Sequence, residues 1–229
     1  LSPVSLTVSA LEEALRAGAV LTAVVHDGSR PCPVPDGVRE VQVPADLLKS
    51  LSTTETPQGV LFLCRQPDLT LPEHLPGTRF LVLDGVQDPG NVGTILRTAD
   101  AFQWTVLLLP GCADLYNPKT LRAGMGVQFR RASYCCALDR AASLVRAAGL
   151  PLYATALAED TADVRDVDLT RCAVIIGSEG RGISRAALEI CDRTVKIPMQ
   201  DTCESLNAAV AAAVVLWEGA RGDGRSGPC

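Results

Sequence analysis

The sequence predicts an α/β protein built on a parallel sheet, and three observations predict it. From residue 79 to residue 220, apolar strand-like runs alternate with helical periodicities, which is the pattern of repeated βα units. The runs FLVL at 80–83 and AVII at 173–176 are continuous rather than alternating, as expected of strands covered on both faces. Polar segments follow those strands at their C-terminal ends, where open α/β sheets bind ligands.

The elements read as follows. Val8–Ala19 has helical periodicity with Glu12, Glu13 and Arg16 outside, Leu21–His26 reads as a strand, and a polar Gly/Pro loop runs on through Gly37. Val38–Val43 alternates apolar and polar, as a half-buried strand does; Ala45–Leu51 is a short helix and Gly59–Cys64 a buried strand. Gln66–Gly77 carries prolines at 67, 72 and 76, which predicts a stiff connector and a domain boundary. Beyond it, strands are expected at Arg79–Val86, Thr105–Leu109, Ala132–Cys136, Leu152–Ala156, Ala173–Gly177 and Val195–Pro198. Helices are expected at Val92–Gln103, Pro118–Phe129, Asp139–Ala148, Ser184–Cys191 and Ser205–Glu218, the last stopped by Gly219. This divides the chain into residues 1–66, a Pro-rich linker at 67–78, a large domain at 79–221 and a flexible Gly-rich tail at 222–229. There is no internal repeat.

Composition narrows the function classes. At 229 residues, 47% hydrophobic and 21% charged, the chain has the balance of a globular protein. Its longest apolar run, Ala208–Trp217, is ten residues, about half a membrane span. No signal peptide is visible; the chain begins at Leu1, so the first domain is expected to lack its true start. The nine cysteines are irregularly spaced, form no C-x-x-C pair and accompany only His26 and His74, which leaves no metal-ligand spacing. Cys64 and Cys172 lie in apolar runs, where cysteine acts as a small hydrophobe. A reducing compartment is expected, the cytoplasm first and an organelle matrix as the alternative. Net charge is −5, yet residues 118–131 hold Lys119, Arg122, Arg130 and Arg131 and no acidic residue. In an acidic chain that island is either a solvated helix face or a local phosphate contact.

Three strand-end segments carry the chemistry. The first, Leu83 to Asp100, places Asn91 near a helix start, where it can cap, and Arg97 six residues on, about 1.7 turns later and on another face. The second, Gly177-Ser-Glu-Gly-Arg-Gly-Ile-Ser184, orders its glycines G-x-x-G-x-G, which is neither the dinucleotide fingerprint nor a P-loop. Its glycines let backbone approach a ligand, and Glu179 can face a cationic or hydroxyl-bearing partner. The third, Val195 to Val210, ends a strand in Ile197-Pro198 and begins a helix near Ser205, with Ser205 and Asn207 at its N-terminus. Taken singly, these are a capped helix with a surface arginine, a glycine-rich turn and a buried Ala/Val helix.

Taken together, residues 79–220 resemble the SpoU/TrmH family of RNA 2′-O-ribose methyltransferases, part of the SPOUT superfamily. The residues that carry the resemblance are Asp88-Pro-Gly-Asn-Val-Gly-Thr-Ile-Leu-Arg97, Ile175-Ile-Gly-Ser-Glu-Gly-Arg-Gly182, Ile197-Pro-Met199 and Ser205-Leu-Asn207. Residues 1–66 resemble the small α/β RNA-binding domain found at the N-terminus of the family's rRNA enzymes, most clearly at Leu51-Ser-Thr-Thr-Glu-Thr-Pro-Gln-Gly-Val60.

The resemblance implies a parallel-sheet domain with a deep trefoil knot that binds S-adenosylmethionine, a homodimer through that domain, and an active site drawing on both subunits. It implies a cofactor site at Gly177, Ser178, Glu179, Gly182, Ile197, Pro198, Met199 and Leu206, and a catalytic set of Arg97, Asn91, Glu179, Ser205 and Asn207. Arg97 matches the family's proposed catalytic residue, often called the base. Arginine is not deprotonated in proteins, and its fork suits phosphate binding and orientation of the 2′-hydroxyl; both roles stay open here. Asn91 and Asn207 would position substrate or cofactor, Glu179 would orient Arg97 or the ribose, and Ser205 would help to fix the phosphate. Lys119, Arg122, Arg130 and Arg131 become RNA contacts. Aromatic residues are 4%, too few for stacking platforms.

The expected activity is therefore methyl transfer to a ribose 2′-hydroxyl of large-subunit rRNA, with no metal and no membrane. The alternatives are a tRNA 2′-O-methyltransferase and an inactive RNA-binding or ribosome-assembly factor of the same fold; within the rRNA reading, a housekeeping and an antibiotic-resistance role both stay open. A nucleotide-dependent oxidoreductase is disfavoured by its missing glycine order.

Overall fold

In a computed structural model, residues 8–52, 57–157, 160–200, 202 and 205–221 are described. Residues 53–56 of the N-terminal stretch singled out above, and the tail 222–229, lie outside the described residues. The elements run α1 (Val8–Arg16), β1 (Leu21–His26), β2 (Arg39–Gln42), α2 (Ala45–Leu51), β3 (Val60–Cys64), β4 (Arg79–Asp84), α3 (Pro89–Ala101), β5 (Thr105–Leu108), α4 (Pro118–Gly124), α5 (Val127–Arg130) and β6 (Ser133–Cys135). There follow α6 (Leu138–Ala147), β7 (Leu152–Thr155), β8 (Ala162–Asp163), a 3-10 turn (Val164–Asp166), β9 (Cys172–Gly177), α7 (Arg185–Ile190), β10 (Arg193–Lys196) and α8 (Ala208–Ala220).

Two sheets result. The first has three strands in the order β2-β1-β3, with β1 parallel to β2 and antiparallel to β3. The second has seven strands in the order β6-β5-β4-β9-β7-β10-β8, and every pairing in it is parallel. The continuous apolar runs sit at its centre, where Phe80–Leu83 and Cys172–Ile176 are buried along their whole length. Burial pushes the Cys172 thiol up to about 12, so this cysteine packs as a hydrophobe. None of the described helices is long and apolar enough to cross a membrane.

The segment between the sheets is docked rather than free. Thr70 bridges to Cys135, the Cys135 amide donates to Leu69 O at 2.9 Å, and Leu71 is buried against the large sheet. One apolar cluster runs through both parts, with Ala10, Leu11, Val24 and Phe62 from the N-terminal part and Leu81, Val92, Ile95 and Leu216 from the other. Phe62 meets Phe129 of α5 with ring centroids 5.9 Å apart. Arg130, also of α5, pairs with Asp100 at 2.6 Å and with Glu13 of α1 at 3.4 Å.

Helix α1 ends at Arg16 rather than Ala19, and the strand expected at Val195–Pro198 is Arg193–Lys196, so Ile197 and Pro198 follow it. Four further differences from the sequence expectation have a local reason. The helix expected over Pro118–Phe129 is two helices. Met125 (φ 53) and Gly126 (φ 78) are left-handed, their amides close back on Arg122 O and Leu121 O, and Gln128 donates to Thr120 O at 3.2 Å. Helix α3 starts three residues earlier than expected, because Asp88, not Asn91, is the cap and Pro89 takes the first turn. Helix α8 starts at Ala208 behind an Asn207 cap, not at Ser205, and runs through Gly219. That glycine is kept by packing: a Cβ there would lie 2.5 Å from the Trp104 ring. Strand β8 was not expected, since two residues give no periodic signal.

Gly93 shows how tightly α3 and α4 approach. A Cβ at this position would lie 2.3 Å from Thr120 O and 2.9 Å from the Gly124 amide nitrogen, both backbone atoms. Gly93→Ala is therefore expected to lower unfolding stability by about 2–3 kcal/mol in urea denaturation. An unchanged midpoint would show that the two helices part without strain.

Candidate functional site

The site lies at the C-terminal end of the large sheet, where β4, β7, β9 and β10 stop. The residues after β9 turn back at once. Ser178 and Gly182 exchange both backbone hydrogen bonds, at 3.1 and 2.8 Å, and Gly182 takes a left-handed φ of +66°. Gly177 makes the return possible, since a Cβ there would lie 2.2 Å from the Gly182 carbonyl carbon. No side chain larger than hydrogen fits.

Beside this loop is a cavity of about 400 Å³, within the range of small-molecule sites. Seven of the eight expected cofactor residues line it: Gly177, Ser178, Glu179, Gly182, Ile197, Met199 and Leu206. Pro198 does not. Ser205 lines the same cavity, three residues before the first residue of the helix that was expected to begin with it. The remaining wall is mostly apolar, from Ile176, Leu157, Leu188 and Ala211. Thr155 and Leu157, at the end of β7, were missed in the sequence; their signal was only their place at a strand end, with Thr155 Oγ1 donating to Ile175 O at 3.0 Å. Such a surface, with small and apolar side chains over exposed backbone, fits an adenosyl group read through main-chain contacts.

Three of the expected catalytic residues meet in one hydrogen-bonded chain, of which Glu179 lines the cavity. Asn207 Oδ1 accepts from the amides of Ala209 and Val210, at 2.9 and 3.3 Å, and so caps α8. Its oxygen being committed, its amide nitrogen faces outward and donates to Asn91 Oδ1 at 3.2 Å. Asn91 must then present its own amide nitrogen, which donates to Glu179 Oε1. The free N–H groups of α8 thus fix, through two amides, where the Glu179 carboxylate sits. Asn91 can do this because Asp88 takes the capping task, accepting from the Asn91 backbone amide at 2.9 Å.

Arg97 is not part of this group. It is exposed on α3, and among the described residues it has no hydrogen-bond or ion-pair partner. It lies three and four residues beyond Thr94 and Gly93, on the flank between α4 and α8. Along that flank, α3 and α8 leave an open apolar groove lined by Asn91, Thr94, Asn207, Val210, Val214 and Trp217. Val210 is 49% and Trp217 60% exposed, and Trp217 rests edge-on against Phe102 at 5.8 Å.

The basic island gains acidic neighbours that its own stretch lacks. Lys119 pairs with Asp88 at 2.7 Å and holds its carboxyl below the ordinary range. Arg130 is held by Asp100 and Glu13, as above, and Arg122 has its own interactions. Arg131 is half-exposed and lines a second cavity of about 270 Å³ with Tyr116 and Phe129. Among the described residues no cluster of His, Cys, Asp and Glu could hold a metal ion.

Residues 78–217 match the model of the SpoU rRNA Methylase family. The chain is 35% identical over 211 residues to the 23S rRNA (guanosine(2553)-2′-O)-methyltransferase RlmP of Bacillus subtilis, covering 90% of this chain and 84% of that protein. It is 37% identical over 161 residues to the tRNA (guanosine(18)-2′-O)-methyltransferase of Thermus thermophilus, covering 69% and 76%. Among solved structures it is similar to the SpoU methyltransferase AviRb of Streptomyces viridochromogenes in complex with AdoMet. That match has a TM-score of 0.84 and 28% identity, covering 96% of this chain and 89% of that one.

The polar chain makes a direct prediction. Asn207→Asp keeps an acceptor for the α8 cap but has no donor for Asn91. The melting temperature should stay near that of the parent protein, while a crystal structure should show Asn91 turned away from Glu179. Retention of the Asn91–Glu179 contact would show that the cap does not set it.

Proposed function

The chain belongs to the SpoU rRNA methylase family, and on that premise we propose that it is an S-adenosylmethionine-dependent methyltransferase acting on a ribose 2′-oxygen of large-subunit rRNA. The observation that carries this is the Asn207–Asn91–Glu179 chain, whose last member, Glu179, lines the cavity beside the glycine loop. rRNA is favoured over tRNA because the match to the rRNA enzyme spans 90% of the chain, against 69% for the tRNA enzyme. The longer match reaches into the part that holds the three-stranded sheet. We read residues 1–66 as an RNA-binding domain, 67–78 as its connector and 79–221 as the catalytic domain.

When bound, the cofactor supplies an activated methyl group on a sulfonium sulfur. The backbone of Gly177, Ser178, Gly182, Ile197 and Leu206 holds its adenosyl part, and Met199 and the apolar wall exclude water. Pro198 stiffens the β10 exit rather than touching the ligand. Glu179, fixed by Asn91, keeps one oxygen for the substrate ribose. Ser205 lies on the same wall, where its hydroxyl can meet the substrate phosphate. Arg97 binds that phosphate and orients the 2′-hydroxyl, a task that uses its charge and its fork and needs no neutral guanidine.

Arg97 does this for a second copy of the chain. Helix α8 is apolar on every side, which is the mark of a helix buried all round, yet its Val210–Trp217 face is open. Docking two copies through the α3–α8 groove would cover that face and bring each Arg97 toward the other copy's Glu179. The deep knot belongs to the same proposal, supported by a sheet order in which β7 lies between β9 and β10. The seven described cysteines carry no disulfide, which fits a reducing compartment, read here as the cytoplasm.

Two measurements test this reading. With labelled S-adenosylmethionine, unmodified rRNA should take up label at a ribose 2′-oxygen, tRNA should not, and Arg97→Ala should lose about 10²–10³-fold in rate while still binding the cofactor. Label in tRNA alone would assign the other substrate, and full activity in Arg97→Ala would remove that residue from the site. Arg131→Glu should weaken rRNA binding and flatten its salt dependence by about one unit of slope; an unchanged slope would place the phosphate contacts elsewhere.

A further inference from the structure

Strand β4 ends in Asp84, which stands beside Gly177 in the parallel register of β4 and β9. Asp84 is half-buried, and among the described residues it pairs with no lysine or arginine. Its Oδ2 instead accepts from the backbone amide of Ser184 at 2.7 Å, one hundred residues on. Ser184 is where the glycine loop ends and α7 begins, and its own hydroxyl accepts from the Ala187 amide at 3.3 Å. The loop is thus held twice. Its neck is closed by the Ser178–Gly182 pair, and its far end is tied by Asp84 to a central strand. The segment so held contains Ser178, Glu179, Gly182 and Ile183, all of which line the cavity. The same strand end leads through Gly85, left-handed at φ +68°, into the segment that delivers Asn91. The end of β4 is thus joined by the chain to Asn91 and by the Asp84 carboxylate to the far end of the loop that carries Glu179.

We infer that Asp84 is a positioning residue that holds the 178–184 loop against the cofactor cavity through the Ser184 amide. It touches neither cofactor nor RNA, and it acts by setting where the loop's backbone groups stand. The inference rests on the function proposed above for its consequence, but not for the tether itself.

The test compares Asp84→Ala with Asp84→Asn. The alanine variant removes the acceptor; the asparagine variant keeps an oxygen that can accept the same N–H. Calorimetric titration with S-adenosylmethionine should show affinity about tenfold weaker for Asp84→Ala, with the cofactor KM raised in parallel. Its RNA affinity and its melting temperature should stay near those of the parent. Asp84→Asn should restore most of the affinity. Parent-like affinity in Asp84→Ala, or equal loss in both variants, would overturn the inference. Hydrogen exchange without cofactor separates the tether from the reaction. Faster exchange at 178–184 in Asp84→Ala, with β9 unchanged, supports the tether even if the parent protein binds no S-adenosylmethionine, in which case it is the methyltransferase reading that fails. Unchanged exchange overturns the tether whatever the protein binds.

Discussion

The site depends on a hydrogen bond that two amides pass along. The N-terminus of α8 offers free N–H groups, Asn207 takes them with its oxygen, and that choice orients Asn91 and then the Glu179 carboxylate. Each member comes from a different strand-end segment, so the chain exists only when β4, β9 and β10 are in register. Any slip of one strand would leave an amide facing the wrong way. A parallel sheet buried on both faces resists such a slip, because its central strands have no solvent face to which they could move.

Close backbone approach is the second constraint. Gly93 lets α4 rest against α3, Gly219 admits the Trp104 ring, and Gly177 lets its loop fold back over the strand. These positions have no room for a methyl group, and the first and last sit beside the elements that carry Asn91 and Glu179. Packing and function are therefore satisfied by the same small residues. On the outer side the balance is reversed: α8 leaves Val210 and Trp217 exposed on the face beside Asn91 and Asn207.

Most of the fold was legible in the sequence because parallel α/β proteins announce their strands as unbroken apolar runs. Phe80–Leu83 and Ala173–Ile176 are such runs, and both are central strands. What was not legible followed from competition between local signals. Asp88 and Asn91 are both capping residues, and the sequence could not rank them; Pro89 decided it by fitting the first helical position. Gly219 reads as a helix stop, yet burial against Trp104 keeps it inside α8. The break after Gly124 needed a left-handed Met125, a conformation that side chains rarely adopt. The site was legible as three segments, but not as a geometry. That Asn91, Glu179 and Asn207 touch while Arg97 stands apart depends on side-chain direction around α3, which spacing only hinted at. Nor could the charge count show that Asp88, Asp100 and Glu13 reach into the basic island from elsewhere in the chain.

We propose that one copy supplies the cavity and the Asn207–Asn91–Glu179 chain while another supplies Arg97. Complementation decides it. Arg97→Ala and Gly177→Val, each inactive by itself, are co-expressed, and methyl transfer to rRNA is measured. If Arg97 acts across the interface, half the dimers are mixed and each holds one complete site, so about a quarter of the parent activity returns. If Arg97 serves its own cavity, no mixed dimer holds a complete site, and the mixture stays inactive.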